Sequence, residues 1–455
     1  MGTESPPGRN TLLVMLLVAL AMVFGGGGSS HPLTELIIEA GFAAVVLVQV
    51  LSPPSGPSPG RPPLFAIALG ALVLVVPVLQ LVPLPPSVWQ SLPGRSVEVQ
   101  SVALTGQAGA WMPWSMVPAR TFASLLSMVA PVVLLLEVAR LDLGGRTWAC
   151  ATVLALVGAS IVLGVLQLSH TGGMTWSLYS DYHRGYLVGF HGNRNAETDV
   201  LQIGLLALCV LVSTRLSGSG SGVVTWVVLA LGMPLILFAV FLAGSRAGLG
   251  ILPVTLLFSL AILWPPVRKR VPNARLWIGG IAVGTGAIAL LLTRVEAVQK
   301  VLGRFDVTHF AHEARPDLWA DTVYAIKQVW PAGGGIGSFI PLFEAAEQLE
   351  MVDPTAPVRA HNEWLEFALE AGLPGIIVLT AIALLLCWIA YRALGSARAR
   401  HAPAALRGQV LFGLGALAIA GLHAFVDYPM RSMALASLAA LAAGMLMPLP
   451  ATRVR

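Results

Sequence analysis

The chain has 455 residues, of which 56% are hydrophobic and 11% charged, with a net charge of +5 and a mean hydropathy of +0.79. This excludes an ordinary soluble domain, because apolar runs near the roughly 20 residues that span a bilayer recur along the whole length. The basic excess then reads as membrane topology and not as nucleic-acid binding, and Cys150, Cys209 and Cys387, all in or beside apolar runs, suggest neither a disulfide framework nor a thiolate zinc site.

The hydropathy pattern predicts an all-α, polytopic membrane protein with about twelve transmembrane helices. Spans are expected at 11–27, 33–51, 64–82, 121–139, 148–168, 198–214, 223–243, 248–264, 276–293, 364–391, 409–426 and 433–449. Arg9 before the first apolar run looks like the start of a signal peptide. No A-x-A site ends that run, so an uncleaved first helix is expected. A Pro-rich turn fills 52–63. The stretch 83–120 is rich in Pro and Trp, which suits an irregular segment at the membrane interface. Residues 169–197 form an aromatic loop ending in H-G-N-R-N-A-E.

The longest polar segment, 294–360, divides the chain into a transmembrane region (1–293), a loop subdomain (294–360) and a second transmembrane region (361–455). Within it, Arg315-Pro316-Asp317 opens a helix, with Pro at the first helical position and Asp in the first turn. Leu318, Trp319, Val323, Ile326, Val329 and Trp330 give that helix an apolar stripe. The glycine run 333–337 breaks it, and a second amphipathic helix is expected from about 339 to 350. These helices either lie along the membrane as a cap over a cavity or pack only on each other. Basic residues concentrate in the short loops on the side of the N-terminus. By the positive-inside rule both termini are cytoplasmic and 294–360 faces the exterior.

At the junction with the last apolar third, residues 359–375 read R-A-H-N-E-W-L-E-F-A-L-E-A-G-L-P-G. Asn362 is expected to cap the following helix through its side-chain oxygen, with Glu363 in the first turn. Gly372 and Pro374 should loosen the helix. His361 then stands on the lip of a membrane helix, where a neutral imidazole accepts a proton; the plainer alternative is an interfacial His beside a cap. Arg194, Arg246 and Arg315 lie at helix ends on the same expected face. Each is either a snorkelling anchor or a bidentate phosphate ligand. The tight joint around Arg246, with Gly244, Gly248 and Gly250 leaving room for a ligand, favours the second. Glu197, Asp199, Glu363, Glu366 and Glu370 either answer helix dipoles or serve as counter-ions to those arginines. No residue spacing resembles a metal site, and 333–337 is not a P-loop.

The pattern His361-Asn362-x9-Gly372-x2-Gly375 resembles the signature of the O-antigen ligase and polymerase family. G-N-R-N-A-E at 192–197, G-S-R-A-G at 244–248, R-P-D-L-W at 315–319, G-G-G-I-G-S-F at 333–339 and H-A-F-V-D-Y-P-M-R at 423–431 are similar to further family motifs, so that the resemblance covers about residues 190–445. It implies a GT-C-like glycosyltransferase of the bacterial inner membrane, with its active site facing the periplasm. The implied donor is a glycan on undecaprenyl pyrophosphate, and the acceptor is a sugar hydroxyl on lipid A-core or on another glycan. By the same resemblance His361 is the catalytic base, and Arg194, Arg246 and Arg315 engage the pyrophosphate, with Arg246 also catalytic. Asn362, Gly372 and Gly375 are supporting residues, and neither metal nor cofactor is implied. A transporter or flippase of a lipid-linked anionic glycan is the alternative, since about twelve spans suit either.

Overall fold

Every predicted span but one coincides with a helix. The exception, 276–293, lies outside the residues that the computed structural model describes, which are 6–27, 32–52, 60–169, 176–179, 183–218, 222–271, 299, 303, 315–352 and 357–450. In chain order the helices are α1 (Arg9–Phe24), α2 (Pro32–Leu51), α3 (Leu64–Gln80), α4 (Pro86–Trp89), α5 (Ser96–Leu104), α6 (Pro118–Ala139), α7 (Leu143–Ser169) and α8 (Arg194–Ser217). They continue with α9 (Val223–Ala243), α10 (Arg246–Arg270), α11 (Arg315–Val329), α12 (Phe339–Glu344), α13 (Glu363–Arg398), α14 (Ala404–His423) and α15 (Met433–Leu446). Among the described residues, eight helices are long and apolar enough to cross a bilayer, and α1, α3 and α15 are shorter apolar helices. The protein is an all-α polytopic membrane protein.

The bundle is built around α8. It packs on α7, α9, α10 and α14, and nearly all its residues are buried. A helix enclosed on all sides must bring partners for any polar residue it carries. Gln202 of α8 donates to Gly248 O of α10 at 2.9 Å and accepts from Thr255. Such bonds are worth about 1 kcal/mol net each, and a missing partner costs more. The far end of the bundle is fixed by Arg146, fully buried, which donates to Met445 O and Met447 O at the end of α15, both at 3.0 Å. Helix C-termini offer such carbonyls to cations. Arg146 therefore binds the protein, although its place in a short loop reads in sequence as a topology charge.

Three expectations are corrected. Residues 83–120 are ordered. Strands β1 (Pro83–Leu84) and β2 (Met112–Pro113) pair antiparallel around α4 and α5, the Trp89 indole donates to Ala110 O (2.9 Å), and buried Arg95 holds Glu98 and the Pro113 and Trp114 carbonyls. The second loop helix, expected to reach about residue 350, stops at Glu344. There the chain turns back so that the Gln348 amide donates to Asp321 (2.8 Å). The buried line of α11 is also shifted: Thr322, Ala325 and Val329 face inward, whereas Val323 and Trp330 are exposed. Ala325, Val329, Phe339 and Phe343 cluster with Ala360 and with Leu369 of α13, so the loop helices pack on one another and on the helix that follows His361.

The glycine run 333–337 docks into a break in α13. Gly372 has φ 57°, ψ −157°, and a Cβ there would collide with Pro331 O and Ala332. The break exposes peptide groups that the loop satisfies: Gly334 N donates to Leu369 O (3.0 Å), Gly335 N to Glu370 O (2.8 Å), and Leu373 N to Pro331 O (2.9 Å). Gln80 of α3 clamps both sides, donating to Glu370 O (3.0 Å) and accepting from Ile336 N (2.9 Å). The interruption lies at Gly372, two residues before Pro374, because only glycine tolerates that backbone at so close an approach.

Candidate active site

His361 stands where α13 begins, with φ 49°, a left-handed backbone uncommon outside glycine. Asn362 caps α13, accepting from Leu365 N (3.2 Å). Glu363 N donates to Ala424 O of the turn after α14 (2.9 Å), and Trp319 of α11 donates to Ala360 O (3.0 Å). Three elements therefore fix the backbone around His361. The ring is directed by Asp427: His361 Nδ1 lies 3.0 Å from Asp427 Oδ1, and the Tyr428 ring packs at 5.0 Å between centroids. The side chain is 33% exposed, whereas Asp427 is only 5% exposed.

Burial pushes the Asp427 carboxyl up. Hydrogen bonds from His361 and Asn195 (Nδ2 to Oδ2, 2.7 Å) and the neighbouring imidazoles of His361 and His423 more than offset it, holding the group below the usual carboxylate range. An ionised carboxylate only accepts, so Nδ1 of His361 is the donor and the lone pair of the neutral ring sits on Nε2. Among the described residues Nε2 has no hydrogen bond. Tyr428, raised by burial and by the Asp427 charge, stays a neutral phenol and accepts from Asn193 (3.2 Å).

Among the described residues, Glu197, Asp199, Glu363, Glu366 and Glu370 each engage groups other than Arg194, Arg246 and Arg315. Glu197 binds Ser160 (2.8 Å) and His191 (2.6 Å), and Asp199 binds His423 (2.7 Å). Arg431, in the turn after Tyr428, lies 2.7 Å from Glu370, 3.4 Å from Glu366 and 3.8 Å from Glu363. Glu366 also holds Arg359 (2.9 Å) and the Ala360 amide (3.1 Å). Burial alone lowers the Arg431 pKa, but the three glutamates raise it above its ordinary value, so the guanidinium stays charged.

Arg194 and Arg246 occupy the first positions of α8 and α10, capped by Asn193 and Ser245. These helices run parallel and touch where Gly248 meets Thr198, so both arginines stand at the same end of the bundle. Gly248 therefore serves helix packing instead of ligand approach; Gly250 has open space beside it, and Gly244 ends α9 in a left-handed turn. The Arg194 guanidinium lies 4.7 Å over the Tyr186 ring. Arg315 begins α11, and its charge reaches His423. All three arginines are half-buried. Gly372 makes the break described above, and Gly375 lies in the turn after it, where a Cβ would crowd Ala371 and Phe367.

Residues 231–380 match the family described as O-antigen ligase. This match supports membership of the O-antigen ligase family. The matched region contains Arg246, Arg315, His361, Asn362, Gly372 and Gly375, while Arg194 and Asp427 lie outside it. Among curated proteins the chain has no match. The match supports a bacterial membrane protein with glycosyltransferase activity of the ligase or polymerase type in general. Asp427, Tyr428 and Arg431 lie in the motif 423–431, whose resemblance to the family is visible in sequence. Their roles are not, since the partner of each lies 60 or more positions away.

Proposed function

We propose that the protein transfers a glycan from undecaprenyl pyrophosphate to a sugar hydroxyl, on lipid A-core or on another lipid-linked glycan, at the periplasmic face of the inner membrane. The observation that carries this reading is His361, partly open at the bundle end, with Nδ1 tied to an ionised Asp427 and the Nε2 lone pair left for an acceptor. The acceptor oxygen attacks the anomeric carbon, its proton passes to His361 Nε2, and the bond to the pyrophosphate oxygen breaks with the electron pair leaving on pyrophosphate. Arg246, with Arg194 and Arg315, meets the charge that builds on the leaving group. Fixed guanidinium charge is worth most where water is scarce. The periplasmic placement is supported by the concentration of basic residues in the short loops of the other side.

The test is reconstitution of the purified protein alone in proteoliposomes with an undecaprenyl-pyrophosphate-linked glycan and an acceptor glycan. Formation of a new glycosidic bond with release of undecaprenyl pyrophosphate is expected. Movement of the intact lipid-linked glycan across the bilayer without bond formation would establish a transporter instead.

A further inference from the structure

The buried part of the site holds more titratable groups than a single base requires. Behind Asp427 lies His423, the last residue of α14, only 1% exposed. Its Nδ1 is 2.7 Å and 2.8 Å from the two oxygens of Asp199, and its Nε2 faces Asp427 Oδ2 at 4.0 Å. One imidazole thus stands between two buried carboxylates, on the wall of a small cavity also lined by Asn193, Asn195 and Tyr428. The other groups whose charge reaches this pair are Arg315 of α11 and His191, itself bound to Glu197. With His423 neutral, Asp199 and Asp427 would be two buried anions around a ring that has one proton to offer. Buried charge is tolerated when paired.

We propose that His423 is an imidazolium held between Asp199 and Asp427, and that this buried cation sets the proton affinity of His361. His423 is then a positioning residue: it neutralises Asp199 and leaves Asp427 with the single negative charge that orients the ring of His361. Without that cation, His361 faces one more net negative charge, holds a proton more tightly, and is protonated at higher pH. The effect on transfer rests on His361 being the base; the effect on its titration does not.

The experiment uses the full-length protein in nanodiscs and diethyl pyrocarbonate, which acylates accessible neutral imidazoles. Acylation of the peptide containing His361, followed by mass spectrometry across pH, gives the titration midpoint of that residue without reference to transfer. In His423→Gln the midpoint is expected to rise by about one pH unit. In Asp199→Asn/His423→Gln, which removes a pair of zero net charge, it is expected at the wild-type pH. A neutral His423 gives no change in the single variant; beside an ionised Asp199 the double then falls by about one unit, and beside a protonated Asp199 it stays unchanged. The single variant therefore decides between the buried ion pair and an uncharged pair, and a lowered double excludes the proposal even if the single does not fold. An unchanged single or a lowered double overturns the proposal. If the shifts occur as expected while His361→Gln transfers normally, it is the base reading of His361 that fails and the role of His423 that stands.

Discussion

Two basic side chains border the first turns of α13, and they are built differently. Arg431 is surrounded by Glu363, Glu366 and Glu370, with a second cation, Arg359, on Glu366. His361, two residues before Glu363, has one carboxylate on one nitrogen and is a third exposed. The first arrangement surrounds its charge with three carboxylates inside the protein and therefore holds structure. The second leaves the Nε2 lone pair, which the proposed mechanism uses, on the side of the ring away from Asp427. Location in a conspicuous motif does not separate these roles; the number of opposite charges the protein places around each group does.

The comparison is broken most severely by removing the enclosed cation. Arg431→Leu leaves three buried glutamates with Arg359 as the remaining cation, and stranding buried charge costs about 3–5 kcal/mol. Thermal unfolding in detergent is expected to show a large loss of stability, with activity lost through the fold. A variant with wild-type unfolding would mean that the cluster does not pin the helix. Next in size is Arg246→Ala, expected to lower transfer by about 10²–10³ while the protein stays folded. Arg246→Lys should also fail badly, because a point charge cannot reproduce a bidentate contact. Transfer near the wild-type rate in Arg246→Ala would reduce that residue to an anchor.

Asp427→Asn sharpens the contrast at the site. The amide can present a hydrogen to His361 Nδ1 and stabilise the wrong tautomer, the defect seen when a triad aspartate becomes asparagine. A fall in transfer of the order of 10–100-fold is expected, smaller than for a fully buried triad because His361 is partly open to water. The acid side of the profile separates Asp427 from the imidazoles. Its folded pKa lies below the ordinary 3.8, so its stabilising contribution is full above that value and is lost as pH falls through the lower folded value. Reversible loss of transfer at higher pH must therefore come from another group, and a pH series with parallel unfolding measurements checks this. The smallest effect is Asn362→Ala, where loss of the cap to Leu365 N should cost about 1 kcal/mol, measurable as a modest drop in unfolding temperature with transfer largely kept.

The membrane helices were legible because each is a long local apolar run, and the Asn362 cap was legible because it acts within three residues. The break in α13 was half legible. Gly372 and Pro374 announce it, but its filling by the 333–337 loop and by Gln80 is a contact across the fold. The stretch 83–120 was misread as irregular, since its order depends on a two-residue ladder and a buried arginine, neither of which leaves a periodic signal. For the same reason the carboxylates were seen but their partners were not. Glu370 meets Arg431 across 61 positions and Asp199 meets His423 across 224, distances at which sequence spacing carries no geometry.

The most direct test of the central claim is transfer by purified His361→Gln, compared with wild type at equal folded amounts, with defined donor and acceptor. The glutamine amide retains hydrogen bonding toward Asp427 but cannot accept a proton usefully. A fall of about 10²–10⁴ in the transfer rate, with binding of the lipid-linked donor retained, is the result expected of a base at this position. Transfer by His361→Gln at the wild-type rate would contradict the account and leave His361 a helix-lip residue.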